Sequence, residues 1–135
     1  MSIVVGYLST NEGEAALAAA VAEARRRDTR LVVVLSRRPR GEEHAVLEAE
    51  ADAVRDRLDE ADVAYEVRQL RRSDDVAEDL ISTADEVGAE LLVIGLRRRS
   101  PVGKLILGSN AQRVLLDASC PVLAVKPEIA ATPGA

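Results

Sequence analysis

The chain has 135 residues, 47% of them hydrophobic, and a formal net charge of −5. That length fits one domain able to bury roughly two-thirds of its unfolded surface, and the acidic balance with no Phe or Trp argues against a nucleic-acid binder, which needs basic surface and stacking platforms. No apolar run reaches the roughly 18 residues of a membrane span and no charged-then-apolar leader follows Met1. Cys120 stands alone, so neither an internal disulfide nor a cysteine-based zinc site can form. A reduced, cytoplasmic protein without membrane contact is the expectation. With Tyr7 and Tyr65 the only aromatic residues, the core must be built from Val, Leu, Ile and Ala.

Ile3-Val4-Val5-Gly6-Tyr7 reads as a buried strand. Asn11 followed by Glu14 has the form of a capping box, and Ala15, Leu17, Ala18, Val21 and Ala24 give the next helix an apolar face. Arg25-Arg26-Arg27 place cations against the negative end of that helix. Leu31 to Leu35 is a second continuous apolar strand, as in a parallel sheet covered on both faces. From Glu42 to about Glu60 the spacing of Leu47, Ala51, Val54, Leu58 and Ala61 is helical.

Val63, Tyr65 and Val67 then alternate with Ala64, Glu66 and Arg68, which predicts an edge strand with one wet face. Asp75 with Glu78 caps a third helix that stops at Gly88. Leu91 to Ile94 is the fourth strand, Ser109 to about Ala118 the fourth helix, and Pro121 to Pro127 brackets the fifth strand. Strand and helix alternate throughout, so the fold class is α/β, an open doubly wound parallel sheet. One domain spans 1–128, and the small residues and proline of 129–135 predict a frayed tail.

In such a sheet ligands sit beyond the C-terminal ends of the strands. Three of the loops there are basic: Arg37, Arg38 and Arg40; Arg71 and Arg72; and Arg97, Arg98, Arg99 and Lys104. Together they are half of the chain's 18 Lys and Arg, brought by topology to one rim. The implied field suits a compact polyanion, although arginine-rich loops also serve solubility. The loop opening at Gly95 runs into Gly108-Ser109 at a helix start, where backbone N–H groups attract phosphate. Gly103-Lys104 is not a phosphate-binding P-loop, because Arg98 and Leu105 stand where that motif requires Gly and Ser or Thr.

Gly95 and Gly108-Ser109 resemble the universal stress protein family, whose nucleotide binders carry Gly, two residues, Gly, nine residues, then Gly with Ser or Thr. Lys104 to Lys126 resembles the family's closing signature along its length, and Asn11-Glu-Gly-Glu-Ala-Ala-Leu its opening helix. The resemblance implies a Rossmann-like sheet of five strands in the order 3-2-1-4-5 with two helices on each face. It also implies a homodimer paired through Val122 to Val125. Some family members bind ATP with little or no hydrolysis, and others bind no nucleotide. Two departures stand out: Arg98 occupies the second motif glycine, and Leu8 the position of an Asp that contacts the nucleoside in the family's ATP binders.

The expected ligand is therefore ATP or a related adenine nucleotide such as AMP, held by a non-catalytic stress-response sensor. Gly95, Arg97, Arg98, Gly108, Ser109 and Asn110 are the candidate phosphate ligands; Tyr7, Leu8 and Leu35 border the base, with hydroxyls from Ser9 and Thr10. The rival is a nucleotide-free dimeric module whose basic rim meets an acidic partner or another small anion. No catalytic residue is expected. His44 sits among glutamates on a helix, Asp74-Asp75 read as a helix cap before a magnesium site, Cys120 has no activating neighbour, and Ser109 has no general base.

Overall fold

The order of elements is β1 (Ser2–Gly6), α1 (Asn11–Arg27), β2 (Arg30–Ser36), α2 (Glu43–Ala61), β3 (Tyr65–Leu70), α3 (Val76–Val87), β4 (Ala89–Gly95), α4 (Ser109–Asp117) and β5 (Val122–Val125). These come from a computed structural model that describes residues 1–7, 10–36, 43–70, 75–96 and 108–127. The strands form one sheet in the order β3-β2-β1-β4-β5, every neighbouring pair parallel. Both the α/β class and the strand order match the expectation.

Strand alternation divides the apolar residues between two layers. Ile3, Val5, Leu31, Val33, Leu91 and Val93 face Ala16, Leu17, Ala20 and Ala24 of α1 and Ala51, Val54 and Leu58 of α2. Val4, Val32, Val34, Leu92 and Ile94 face Ala77, Leu80 and Ala84 of α3 and Val114 of α4. Because β1, β2 and β4 are covered on both sides, their sequences are continuous apolar runs. The alternating segment ends up at the sheet edge as β3. Tyr65 and Val67 pack on the α1–α2 layer. On the other face Glu66 pairs with Arg30 (2.7 Å) and with Arg68, which also reaches Glu86 (3.2 Å).

The helix ends follow local chemistry with one correction. Thr10, not Asn11, caps α1: its φ of −138° is extended and its Oγ1 accepts from the Gly13 N–H at 3.1 Å. Glu14 does not reach back to complete a capping box. Its carboxylate accepts instead from the Tyr7 hydroxyl and from Arg57 of α2. α3 starts and stops where the sequence indicates. Asp75 accepts from the Glu78 N–H at 3.1 Å, and Gly88 takes the left-handed conformation (φ 62°) that a glycine adopts at low cost.

Arg113 of α4 ties α3 to its neighbour, donating to Asp75 and, at 2.8 Å, to Glu78. The Glu78 N–H first, and Arg113 with it, hold the Asp75 carboxyl below its ordinary pKa of 3.8. A depressed carboxyl stabilises the fold fully above that ordinary value and loses its contribution as pH falls through the lower folded one. The melting-temperature gap between wild type and Asp75→Asn is thus expected to stay constant from about pH 7 to about pH 5 and to close in more acidic solution. A gap that widens as pH falls would contradict this assignment.

Candidate functional site

β1 lies between β2 and β4; α1 leaves it toward one face, whereas α4 leaves β4 toward the other. A crevice therefore opens beyond the C-terminal ends of β1 and β4, where strand order reverses. A cleft of about 220 Å³ occupies it. The strand ends contribute Gly6, Tyr7, Ile94 and Gly95, with Val34 from β2. Val76 and Leu80 of α3 and Val114 of α4 add apolar wall, and the polar rim is Glu12 of α1 with Ser109 and Asn110 of α4.

The start of α4 differs from the starts of α1 and α3. Those two have Thr10 and Asp75 as side-chain caps and acidic residues in their first turns. α4 is capped by Gly108, which has no side chain to offer, and its first turn holds no acid. The Gln112 N–H bonds the Gly108 carbonyl at 3.0 Å, so the helix ladder begins there. The turn from Gly108 to Ala111 lines the cleft, so the positive end of this helix meets the cavity without a neutralising cap. The composition there suits an anion.

The candidate residues fall into three groups. Tyr7, Gly95, Gly108, Ser109 and Asn110 line the cleft together. Leu35 does not: it is 2% exposed and packed in the α1–α2 layer, because strand alternation turns it to the opposite face, and Val34 lines the cleft in its place. Leu8, Ser9, Arg97 and Arg98 lie outside the described residues. So do the other basic rim residues Arg37, Arg38, Arg40, Arg71, Arg72, Arg99 and Lys104, together with Asp74, Gly103 and the His44 side chain.

Gly95 has a second task that spacing alone does not disclose. A Cβ built there would sit 2.2 Å from the Glu12 carbonyl oxygen and 2.7 Å from its carbon. The end of β4 is glycine so that the first turn of α1 can cross it. That same crossing carries Glu12 to the cleft. Glu12 belongs to no phosphate-binding motif in the sequence; its one signal there is its place in the first turn of the helix following β1. Tyr7 is 7% exposed, and its hydroxyl donates to Glu14 at 2.5 Å.

Elsewhere, β5 lies at the sheet edge with all four residues half-buried, and on α4 Leu116 is 82% exposed. Burial first, then the Asp85 carboxylate, pushes the Cys120 thiol above its ordinary pKa, opposite to what a reactive thiolate needs. Among the described residues no three His, Cys, Asp or Glu side chains gather as metal ligands, and no helix is long and apolar enough to cross a membrane.

Residues 1–126 match the model of the universal stress protein family. A universal stress protein of Mycolicibacterium smegmatis is 45% identical over 129 residues, 93% of this chain and 97% of that relative. A universal stress protein structure from Archaeoglobus fulgidus superposes with a TM-score of 0.78 at 35% identity, covering 93% of this chain and 98% of the other. A structure of the universal stress protein from Archaeoglobus fulgidus in complex with dAMP gives 0.74 at 30% identity, with the same coverage.

Proposed function

The chain belongs to the universal stress protein family, and from that membership we propose that it binds an adenine nucleotide in the cleft between β1 and β4, with phosphate on the start of α4. One observation carries the reading: the first turn of α4, without a side-chain cap, lines a cleft whose remaining wall is largely apolar. The Archaeoglobus fulgidus relative in complex with dAMP supports the choice of an adenine nucleotide.

In this reading Gly108, Ser109 and Asn110 hold phosphate through backbone N–H groups and the Ser109 hydroxyl, aided by Arg97 and Arg98 from the preceding loop. Gly6, Tyr7 and Val34 border the nucleoside. An anion at a helix start gains only ~0.3–2 kcal/mol, whereas micromolar affinity requires about 8 kcal/mol. The difference falls to the apolar wall of Val34, Val76, Leu80, Ile94 and Val114 and to the loop arginines. The nucleotide is ATP or a smaller relative such as AMP, and the protein acts as a cytoplasmic sensor without sustained turnover. Pairing of β5 edges builds the homodimer and covers Leu116.

The test is direct. Protein purified gently and then denatured is expected to release an adenine nucleotide detectable by mass spectrometry, and calorimetry with AMP and ATP to give sub-millimolar binding. Ser109→Ala is expected to weaken that binding roughly three- to tenfold, the effect of one hydrogen bond. Neither co-purified nucleotide nor measurable heat would sink the reading and favour a nucleotide-free interaction module.

A further inference from the structure

Little apolar contact holds α4 to the fold. Of its nine residues Val114 is the one that is buried, with Ala111 partly buried in the same layer, whereas α3 buries five. Its start has no side-chain cap, and a helix this short is marginal by itself in water. One buried side chain fixes how far the helix stands from the sheet, but it restrains sliding along the axis and turning about it only weakly. Ser109 and Asn110, the residues proposed for phosphate, ride on that helix.

Arg113 supplies a second restraint. Its guanidinium donates to Asp75 and, at 2.8 Å, to Glu78, both at the start of α3, while its Nε stands 3.7 Å from Asp117 on its own helix. A planar guanidinium shared between two carboxylates fixes direction as well as distance. Arg113 sits one turn beyond Ser109, and Asp75 immediately precedes Val76 of the cleft wall. The pairs thus join the two sides of the cleft: the apolar wall of Val76 and Leu80 on α3, and the first turn of α4. Arg113, Asp75 and Glu78 stand behind the cleft and do not line it.

We infer that Arg113 is a positioning residue for nucleotide binding: by bridging Asp75 and Glu78 it holds the first turn of α4 at a set distance from the α3 wall, so that one ligand touches both. The inference rests on the nucleotide reading above and adds what sets the width of that site. Ion pairs as exposed as these contribute little to overall stability. A ligand that needs one placement of α4, however, loses affinity in proportion to the molecules in which that placement is lost.

The experiment measures AMP affinity by calorimetry, with thermal melts, for wild type, Arg113→Met, Arg113→Lys, Glu78→Gln and the Arg113→Met/Glu78→Gln double variant. Met keeps an apolar stem without the charge, Gln matches Glu in shape, and Asp75 is left intact because it also caps α3. Arg113→Met is expected to bind AMP about three- to tenfold more weakly, with a melting temperature within a few degrees of wild type. Arg113→Lys recovers part of the loss, since an ammonium group reaches a carboxylate but lacks the fork. Glu78→Gln weakens binding about two- to threefold, and the double variant is no worse than Arg113→Met, because both changes remove one contact.

The direction of the Glu78→Gln effect separates positioning from direct phosphate contact. If Arg113 met phosphate itself, removing the carboxylate would free the guanidinium and relieve repulsion on the anion. Tighter AMP binding by Glu78→Gln therefore overturns the inference. Unchanged affinity in Arg113→Met does so too, as do losses that simply add in the double variant. Where Arg113→Met melts far below wild type, Glu78→Gln at wild-type stability decides on its own. Binding of no AMP by wild type overturns the functional reading, and this inference with it.

Discussion

Gly95→Ala is expected to cost about 3 kcal/mol or more, at or beyond the usual range for overpacking a close-packed interior. The added methyl would lie 2.2 Å from the Glu12 carbonyl oxygen, and a backbone oxygen in the first turn of a helix cannot rotate out of the way. α1 would have to lift from β4, pulling Ala16, Leu17 and Ala20 out of their layer. The same movement would open the cleft and carry Glu12 off its wall, so nucleotide binding should be lost together with stability. Gly6→Ala is the natural control. Its Cβ would meet the Leu80 methyls at 3.0 and 3.1 Å, and these are side-chain atoms on the cleft wall, which can give by a few tenths of an ångström where a backbone oxygen cannot. A cost of about 1 kcal/mol, at the low end for overpacking, is expected there. Urea denaturation of both variants decides the matter; equal midpoints would show that the crossing at Gly95 tolerates a side chain.

The second large effect separates stability from binding. Gly108 has φ −70° and ψ 166°, a backbone open to any residue. Gly108→Asp should give α4 the side-chain cap that Asp75 gives α3. Glycine is itself a fair cap, so the gain in stability should be small, a few tenths of a kcal/mol. The nucleotide site should suffer badly. The new carboxylate would take the N–H groups proposed for phosphate and oppose its charge, so affinity should fall by about 100-fold, the effect of trading one charge-assisted contact for a repulsion. Melting and calorimetry on one preparation test both halves. A variant that binds nucleotide normally would show that phosphate does not sit on α4. One that binds poorly because it has unfolded would show a falling melting temperature, the opposite of the expected direction.

How much of this was visible beforehand depended on the range of the interaction. Gly88, Asp75 and the wet face of β3 were legible because their causes are local: a left-handed turn, a carboxylate three residues from an N–H, alternation along a strand. The helix cap expected at Asn11 is displaced by one residue. Thr10, one residue earlier, already stood extended and took the cap, while the Tyr7 hydroxyl and Arg57 drew Glu14 elsewhere. Leu35, expected at the cleft, lies near the end of β2 but on its other face. Val34 lines the cleft because alternation decides which of two neighbours faces α3, and the facing layer is set by crossovers far along the chain.

The sequence by itself determined the α/β class, the parallel sheet, the family and the glycine-started helix at Gly108, since hydrophobic period and turn chemistry act over a few residues and leave a readable pattern. Only the tertiary structure decided what shares the cleft. It brought residues of β1, α1, β2, α3, β4 and α4 to one crevice, and it gave Gly95 its reason in a backbone atom of Glu12. Contacts between residues so far apart follow from the crossing of a helix over a strand, and no spacing along the chain encodes that distance.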